Sequence, residues 1–484
     1  MKVLPPKNIR PYDQGQNMMF PPNVQDFIKD DHLCRLIDDV VERLDLSCLY
    51  RNVSNEGNKA YHPKMMLKVL FYAYTNHIFS SRKIAQALGE NIAFIFLAAW
   101  QRPDFRTINA FRKNNAAAIN DLFVQLVRLC QQLNMVKLGH VSIDGSKFKA
   151  NAADRQSYDQ KRIDKQVKRI LEQADQIDRD EDEQYGCQNS GAELPEDIAD
   201  RKKRIEKLKQ IQKDLAQQGK EKINATDPDA AFMKTSAGIK TSYNAQACVD
   251  EDCQVIIAAD VTNQPNDREQ LIPMIDQAQE NTSGKIGIVT ADAGYGNAGN
   301  LEKLESYNNI DAYIPDDTYQ SRSNGKQASE FDKERFIYHR HEDVFVCPAG
   351  KILLFWYAKH SKRDGDCRVY RCDQCLQCAH FGRCTKSPKG RSIWRRQVDE
   401  KVKAMRAKLD TPEGKQIYAK RKHIVEPVFA RIKYPMGFKR FHLRGLAKVK
   451  LEFLLVAIGH NLKKIATYCY EGGIGIKPRQ MTPA

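Results

Sequence analysis

The hydrophobic period of this chain changes partway along, and that change limits the folds open to it. Between residues 20 and 135 apolar side chains recur at helical spacing, in Met65, Leu67, Leu70, Phe71 and Tyr74 and again in Ile84, Ala87 and Leu88. Ser80-Ser81 before Arg82-Lys83-Ile84 opens the second of these helices, and Trp100-Gln101-Arg102-Pro103 breaks the pattern before another containing Phe111 and Ile119. The pair reads either as a helix-turn-helix that contacts DNA or as part of an ordinary bundle. At Val141-Ser-Ile-Asp144-Gly the pattern shifts to a short β-branched run, read as a buried strand that delivers Asp144 at its C-terminal end. An all-α domain over 1–135 is therefore expected before a sheet-containing domain over 136–470, with 471–484 as a tail.

Within the second domain, Ile163, Val167, Ile170, Ala174 and Ile177 repeat at alternating spacings of four and three. Ile198, Ile205, Leu208 and Leu215 continue in similar style beyond a polar turn near Gly186 to Pro195. This predicts a charged antiparallel helical hairpin inserted over 155–225. Strand signals return in Tyr243–Val249 and Gln254–Asp260, a hairpin joined by Asp250-Glu251-Asp252, and then in Lys285–Thr290 and Ala312–Ile314, with a helix around Leu271–Gln279. Strands before and after helices point to a mixed α/β sheet. Residues 318 to 400 are polar and cysteine-bearing, with an insertion expected over 340–390, and Ile417–Thr467 reads as helix.

The chain has 484 residues, more than one core usually holds, and a net charge of +16, which points to a polyanionic partner. The charge is uneven, since Thr385–Arg440 holds 17 Lys or Arg against 5 Asp or Glu. No apolar stretch is long enough to cross a bilayer, the longest running from Ile92 to Trp100, and Met1–Arg10 lacks a signal-like run. A soluble, cytoplasmic protein is expected, with its 13 cysteines reduced or metal-bound. The chain contains no GxxxxGK[ST] phosphate loop and no HExxH.

Metal-assisted phosphoryl transfer needs acidic oxygens converging from different elements. Asp144 ends one strand. Asp292 ends another, in Thr290-Ala-Asp292-Ala-Gly-Tyr295, where Gly294 permits a sharp turn. Glu426 precedes Pro427, which suits a helix start, and Lys433 lies two turns further along the same face. Asp260 and Asp267 also lie near strand ends and compete for the second position by local pattern alone.

In Ser142-Ile-Asp144-Gly-Ser-Lys, Tyr243-Asn-Ala-Gln246 leading to Asp267, Ala291-Asp292-Ala-Gly-Tyr295 and Val425-Glu426-Pro-Val-Phe with Lys433, the chain resembles the DDE transposases of bacterial insertion sequences. The N-terminal helical region looks like the domain that precedes such cores. The resemblance implies a ribonuclease-H-like mixed sheet with a helical insertion, and a catalytic triad of Asp144, Asp292 and Glu426 holding two Mg²⁺ (or Mn²⁺) ions. One subgroup carries a Tyr, Arg, Glu, Lys signature, here Tyr418, Arg421, Glu426 and Lys433. Arg421 lies five residues before Glu426 where four is usual, and Lys422 occupies that place.

The resemblance further implies double-stranded DNA as partner, both terminal inverted repeats and target, a homodimer in the active complex, and association with the nucleoid. Related transposases show a Cys-Pro followed by closely spaced cysteines. Cys347, Cys375, Cys378 and Cys384 are accordingly the expected ligands of a structural Zn²⁺, with Cys372 and His380 as substitutes and an unmetallated thiol cluster as the rival reading. Arg395 and Arg396, with Tyr418, Arg421, Lys422 and Lys433, are expected at the DNA, and Trp394 as a base-stacking or half-buried residue. The expected reaction is cleavage at the element end followed by strand transfer. The rivals are a catalytically silent DNA-binding derivative and a stand-alone nuclease.

Overall fold

A computed structural model describes residues 23–51, 60–185, 196–316, 318–320, 329–361, 365–396 and 399–471. The chain divides into two compact units, the described parts of Met1–Asn115 with Ala466–Ala484, and Ala116–Ile465. The protein is mixed α/β, and no described helix is long and apolar enough to cross a membrane.

The first unit is helical, with helices at Leu33–Arg43, Pro63–Thr75, Ser81–Glu90, Ile92–Ala98 and Phe105–Asn114. Pro63 occupies the first turn, where its missing N–H costs nothing. Met65, Leu67, Leu70, Phe71, Tyr74, Ile84 and Leu88 are buried, as their spacing predicts. Arg112 is buried among them and donates to the Tyr74 hydroxyl at 2.7 Å and the Phe79 carbonyl at 3.3 Å.

The second unit is built on a six-stranded mixed sheet. Its strands are β1 (His140–Lys149), β2 (Ala231–Thr235), β3 (Gly238–Asp250), β4 (Ile256–Thr262), β5 (Ile288–Ala291) and β6 (Asp311–Tyr313). The order is β2-β3-β1-β5-β6, with β4 also on β3. β1 lies antiparallel to β3 and parallel to β5, and β5 lies parallel to β6. This is the ribonuclease-H-like core with a helical insertion. The Asp250–Asp252 hairpin and the helix near 271 form as expected, the latter over Leu271–Thr282. The helix Ala116–Gln132 packs on Leu271–Thr282 inside this unit, although its period alone groups it with the helices before it.

The hairpin helices are Gln160–Tyr185 and Glu196–Gln217, and Ile163, Ile170, Leu208, Ile211 and Ile223 form a seam of their own between them. The polar turn expected near Gly186 to Pro195 and the tail over 471–484, apart from Glu471, lie outside the described residues.

Two differences stand out. β1 does not end at Asp144 but runs on to Lys149, because β3 continues the antiparallel ladder from Val141↔Asp250 to Lys149↔Ser242. The cysteine-bearing stretch, read only as a polar insertion, contains a five-stranded antiparallel sheet: β7 (Ile337–His339), β8 (Val344–Val346), β9 (Ile352–Ser361), β10 (Gly365–Arg371) and β11 (Ser392–Arg396). Its small core is Phe336, Phe345, Leu353, Tyr370, Cys372 and Ile393.

Candidate active site

Asp144 and Asp292 reach the same level of the sheet for a topological reason. β1 and β5 are parallel neighbours whose last paired residues are Ile143 and Ala291, so each acid stands one residue beyond the end of that pairing. Asp292 caps the short 3-10 turn Ala293–Tyr295, its carboxylate accepting from the Ala293 amide at 2.6 Å.

Glu426 arrives from the C-terminal helices. Thr411 caps the helix Pro412–Ile424, and the next helix, Glu426–Lys433, begins at the acid itself with Pro427 in its first turn. An aromatic cluster fastens that helix to the sheet. Phe148 on β1 has ring centroids of Phe438, Phe441 and Phe453 within 6.0 Å and that of Phe429 at 6.4 Å. The Phe441 amide also donates to the Lys149 carbonyl at 2.9 Å.

Arg421 joins the acids. Its guanidinium lies 3.3 Å from Asp144 Oδ2 and 3.3 Å from Glu426 Oε1, with its side chain only 11% exposed. Asp144 is 20% exposed. Burial pushes its carboxyl up to about 6; the Arg421 charge and the Gly145 amide pull it down, and the neighbouring Asp292 and Asp267 push it further up. Lys433 donates to the Ser146 hydroxyl at 2.5 Å, and burial lowers its pKa against the opposing pull of Asp144. Tyr418 packs edge-on against Tyr319 at 5.1 Å, and its hydroxyl is pushed up to about 12, mainly by burial.

The remaining expected residues fall elsewhere. Lys422 is exposed. Arg395 lies 4.1 Å from the Tyr338 ring centroid and 3.4 Å from Glu400, and Arg396 pairs with Asp399. Asp260 faces Lys450 at 2.8 Å. Trp394 is 42% exposed, with Lys359 Nζ 3.3 Å from its ring centroid.

Cys347, Cys372, Cys375, Cys378, Cys384 and His380 line one small cavity in the second sheet's core. Backbone amides of Lys351 and Arg391 donate to Cys347 Sγ at 3.2 Å and Cys375 Sγ at 3.3 Å. Among the described residues, no three His, Cys, Asp or Glu side chains stand in an arrangement that holds a metal, either here or at the acids.

Sequence reasoning named Asp267 as a competing acid and missed its partners. Asp267 Oδ1 accepts from Asn244 Nδ2 and Gln246 Nε2, each at 2.7 Å, and the Tyr295 hydroxyl donates to Gln246 Oε1. The available signal was two polar residues at alternate positions of an otherwise apolar strand, which places both on one face in need of partners.

Residues 22–114 match the family model described as a transposase domain (DUF772), and residues 346–466 match the one described as a transposase DDE domain. The second match contains Glu426 and Lys433 and begins after Asp144 and Asp292. No curated protein matches the chain. With a transposase domain matched over its helical first part and a transposase DDE domain matched after it, the chain matches a DDE transposase of the insertion-sequence type.

Proposed function

We propose that this transposase cuts DNA at the ends of an insertion sequence and joins the freed 3′ ends to target DNA, with Asp144, Asp292 and Glu426 as its catalytic acids. The observation that carries this reading is the placement of Asp144 and Asp292 at equal height on adjacent parallel strands, with Arg421 tying Asp144 to Glu426.

In chemistry, though not in the spacing of the free protein, the donor set is that of a divalent-cation site, three carboxylates. Three carboxylates, Asp144, Asp292 and Glu426, act on the guanidinium of Arg421, and burial makes Asp144 hold its proton more tightly than an ordinary carboxylate. Asp144, Asp292 and Glu426 would hold two Mg²⁺, which when bound supply Lewis acidity at the phosphodiester and a nucleophile at neutral pH. The chain's own residues do the rest. Arg421 keeps Asp144 and Glu426 facing one another and yields carboxylate charge as cations enter. Lys433, anchored on Ser146, sets a positive charge beside Asp144 where a phosphate is to be bound. Tyr418, Lys422, Arg395 and Arg396 extend the contact to DNA.

The domain arrangement proposed is a DNA-binding helical domain over 1–135 and a catalytic domain over 136–470 interrupted at 155–225 and 340–390, acting as a homodimer on paired ends. A structural Zn²⁺ on Cys347, Cys375, Cys378 and Cys384 belongs to the same reading, supported by their shared cavity and the two amide-to-sulfur bonds, and metal content of the purified protein tests it.

The decisive test is Mg²⁺-dependent cleavage and joining of DNA carrying the element's flanking ends, with wild type against Asp144→Ala, Asp292→Ala and Glu426→Ala at matched DNA binding. Loss of both reactions in each variant supports the reading. Cleavage without joining makes the protein a nuclease, binding without cleavage a silent derivative, and an active Asp292→Ala removes the second acid.

A further inference from the structure

We infer that Tyr295, Gln246 and Asp267 form a hydrogen-bonded strap that fixes the Asp292 turn against the Asp144 strand, which makes them positioning residues for the divalent-cation site. The inference rests on the carboxylate site proposed above.

The strap can be followed atom by atom. It starts in the turn that Asp292 caps, where Tyr295 is fully buried and its hydroxyl donates to Gln246 Oε1. Gln246 lies on β3 directly opposite Gly145 of β1, the residue after Asp144. Its amide passes the connection on by donating to Asp267 Oδ1 at 2.7 Å, and Asn244, two residues back on the same face, donates to that oxygen at 2.7 Å as well. Asp267 comes from the loop between β4 and the helix Leu271–Thr282, and its own carbonyl accepts the Gln270 amide at 3.0 Å. A carboxylate oxygen receiving two amide donors is a fixed point, because moving it would strand both donors in a partly buried place.

The strap also explains the glycine after the first acid. A Cβ on Gly145 would overlap both Gln246 Nε2 and Asp267 Oδ1, so the strand can run alongside this network only without a side chain there. Gly294, in the Asp292 turn, lies on the other side, where a Cβ would stand 3.5 Å from Asp267 Oδ2. The network thus touches the backbone beside Asp144 at one end and the backbone beside Asp292 at the other. A tyrosine needing only burial would be satisfied by any acceptor. This one reaches, through a single glutamine, the loop acid wedged between the two acid-bearing segments. Outer-shell partners of this kind set ligand placement, and losing one costs about 10- to 100-fold in metal affinity.

The test uses the full chain and Mn²⁺ alone, with free Mn²⁺ read by electron paramagnetic resonance and folding followed by thermal melting. Tyr295→Phe keeps the ring and removes the bond. Asp267→Ala removes the acceptor, and Asp267→Asn keeps an acceptor oxygen while losing the charge. The strap requires Tyr295→Phe and Asp267→Ala to weaken Mn²⁺ binding by about tenfold or more and Asp267→Asn to stay within about threefold of wild type. Wild-type affinity in a folded Tyr295→Phe overturns it. Equal loss in Asp267→Asn and Asp267→Ala also overturns it, by making Asp267 a charged ligand instead. If Tyr295→Phe does not fold, Gln246→Met breaks that bond and the bond to Asp267 from β3 and carries the same expectation. Asp144→Asn serves as the control: if it binds Mn²⁺ like wild type, the carboxylate site falls and the strap with it, whereas loss in Asp144→Asn alone removes only the strap.

Discussion

The six-stranded core sheet and the five-stranded sheet of the insertion differ in how much exposed aromatic surface lies beside their charged side chains. In the core, charged groups are turned on one another: Arg421 on Asp144 and Glu426, Lys450 on Asp260, two amides on Asp267. In the insertion, Arg368 is paired with Asp343 as well, but cations also rest over exposed rings. Arg371 lies 4.8 Å from the Trp356 ring centroid, Arg368 4.2 Å from that of Phe355 and Lys359 3.3 Å from that of Trp394, and Trp356 is 51% exposed. The first arrangement holds charge inside the protein for cations and phosphate to compete for. The second sets cations beside partly exposed rings, the combination of positive charge and aromatic surface that suits a polyanion whose bases stack. In the function proposed above, chemistry and DNA contact fall on different sheets of one chain.

The comparison breaks most sharply at Asp144. Asp144→Asn is expected to lower DNA cleavage by about 10³-fold or more, on the order of 4 kcal/mol, with DNA binding retained, measured as single-turnover rates beside gel retention. Trp356→Ala is expected to leave the cleavage rate at saturating DNA unchanged; a similar loss of rate in both variants would erase the distinction between the sheets.

Next in size is the independence of the insertion's core. Leu353 is fully buried there, and Leu353→Ala is expected to cost about 3 kcal/mol. Hydrogen exchange should show the loss in β7 to β11 with β1, β3 and β5 still protected. Equal loss of protection in both sheets would show one cooperative unit.

Smaller effects separate contact from stability. Trp356→Ala and Trp394→Ala are each expected to weaken DNA binding by about 1–2 kcal/mol without a change in melting temperature. The smallest effect is one of pH. The Asp144 carboxyl is raised to about 6 in the fold, so between the ordinary carboxylate value and 6 the native state keeps a proton that the unfolded chain has released. This group therefore lowers stability as pH rises through that window. A cation entering below pH 6 must displace the proton, so Mn²⁺ binding should be about tenfold weaker at pH 5 than at pH 7. A flat profile from pH 5 to 7 would deny Asp144 contact with the ion.

Local chemistry made part of this site readable in the sequence. Pro427 marked the helix that starts at Glu426, and the β-branched runs marked β1 and β5. What stayed hidden was set by distant partners. The continuation of β1 past Asp144 depends on β3, about a hundred residues away, and no local signal reports a ladder. Arg421 was expected at the DNA, yet in the free protein it turns toward two acids that the spacing to Glu426 alone does not bring together. The insertion's sheet was missed because most of its strands are short and lie in a stretch of high overall polarity; Ile352-Leu-Leu-Phe-Trp-Tyr357 was the apolar run that announced it. Gln246 and Asn244 gain meaning only once Asp267 is folded back against them.

The central claim is that Asp144, Asp292 and Glu426 share one cation site, and the most direct measurement replaces Mg²⁺ with Fe²⁺ and maps where iron-generated hydroxyl radicals cut the polypeptide. The account requires cuts in three places, around Asp144, Asp292 and Glu426, all suppressed by excess Mg²⁺ and lost together in Asp144→Asn. Cuts confined to the cysteine cluster, or cuts near only one of the three acids, would contradict it.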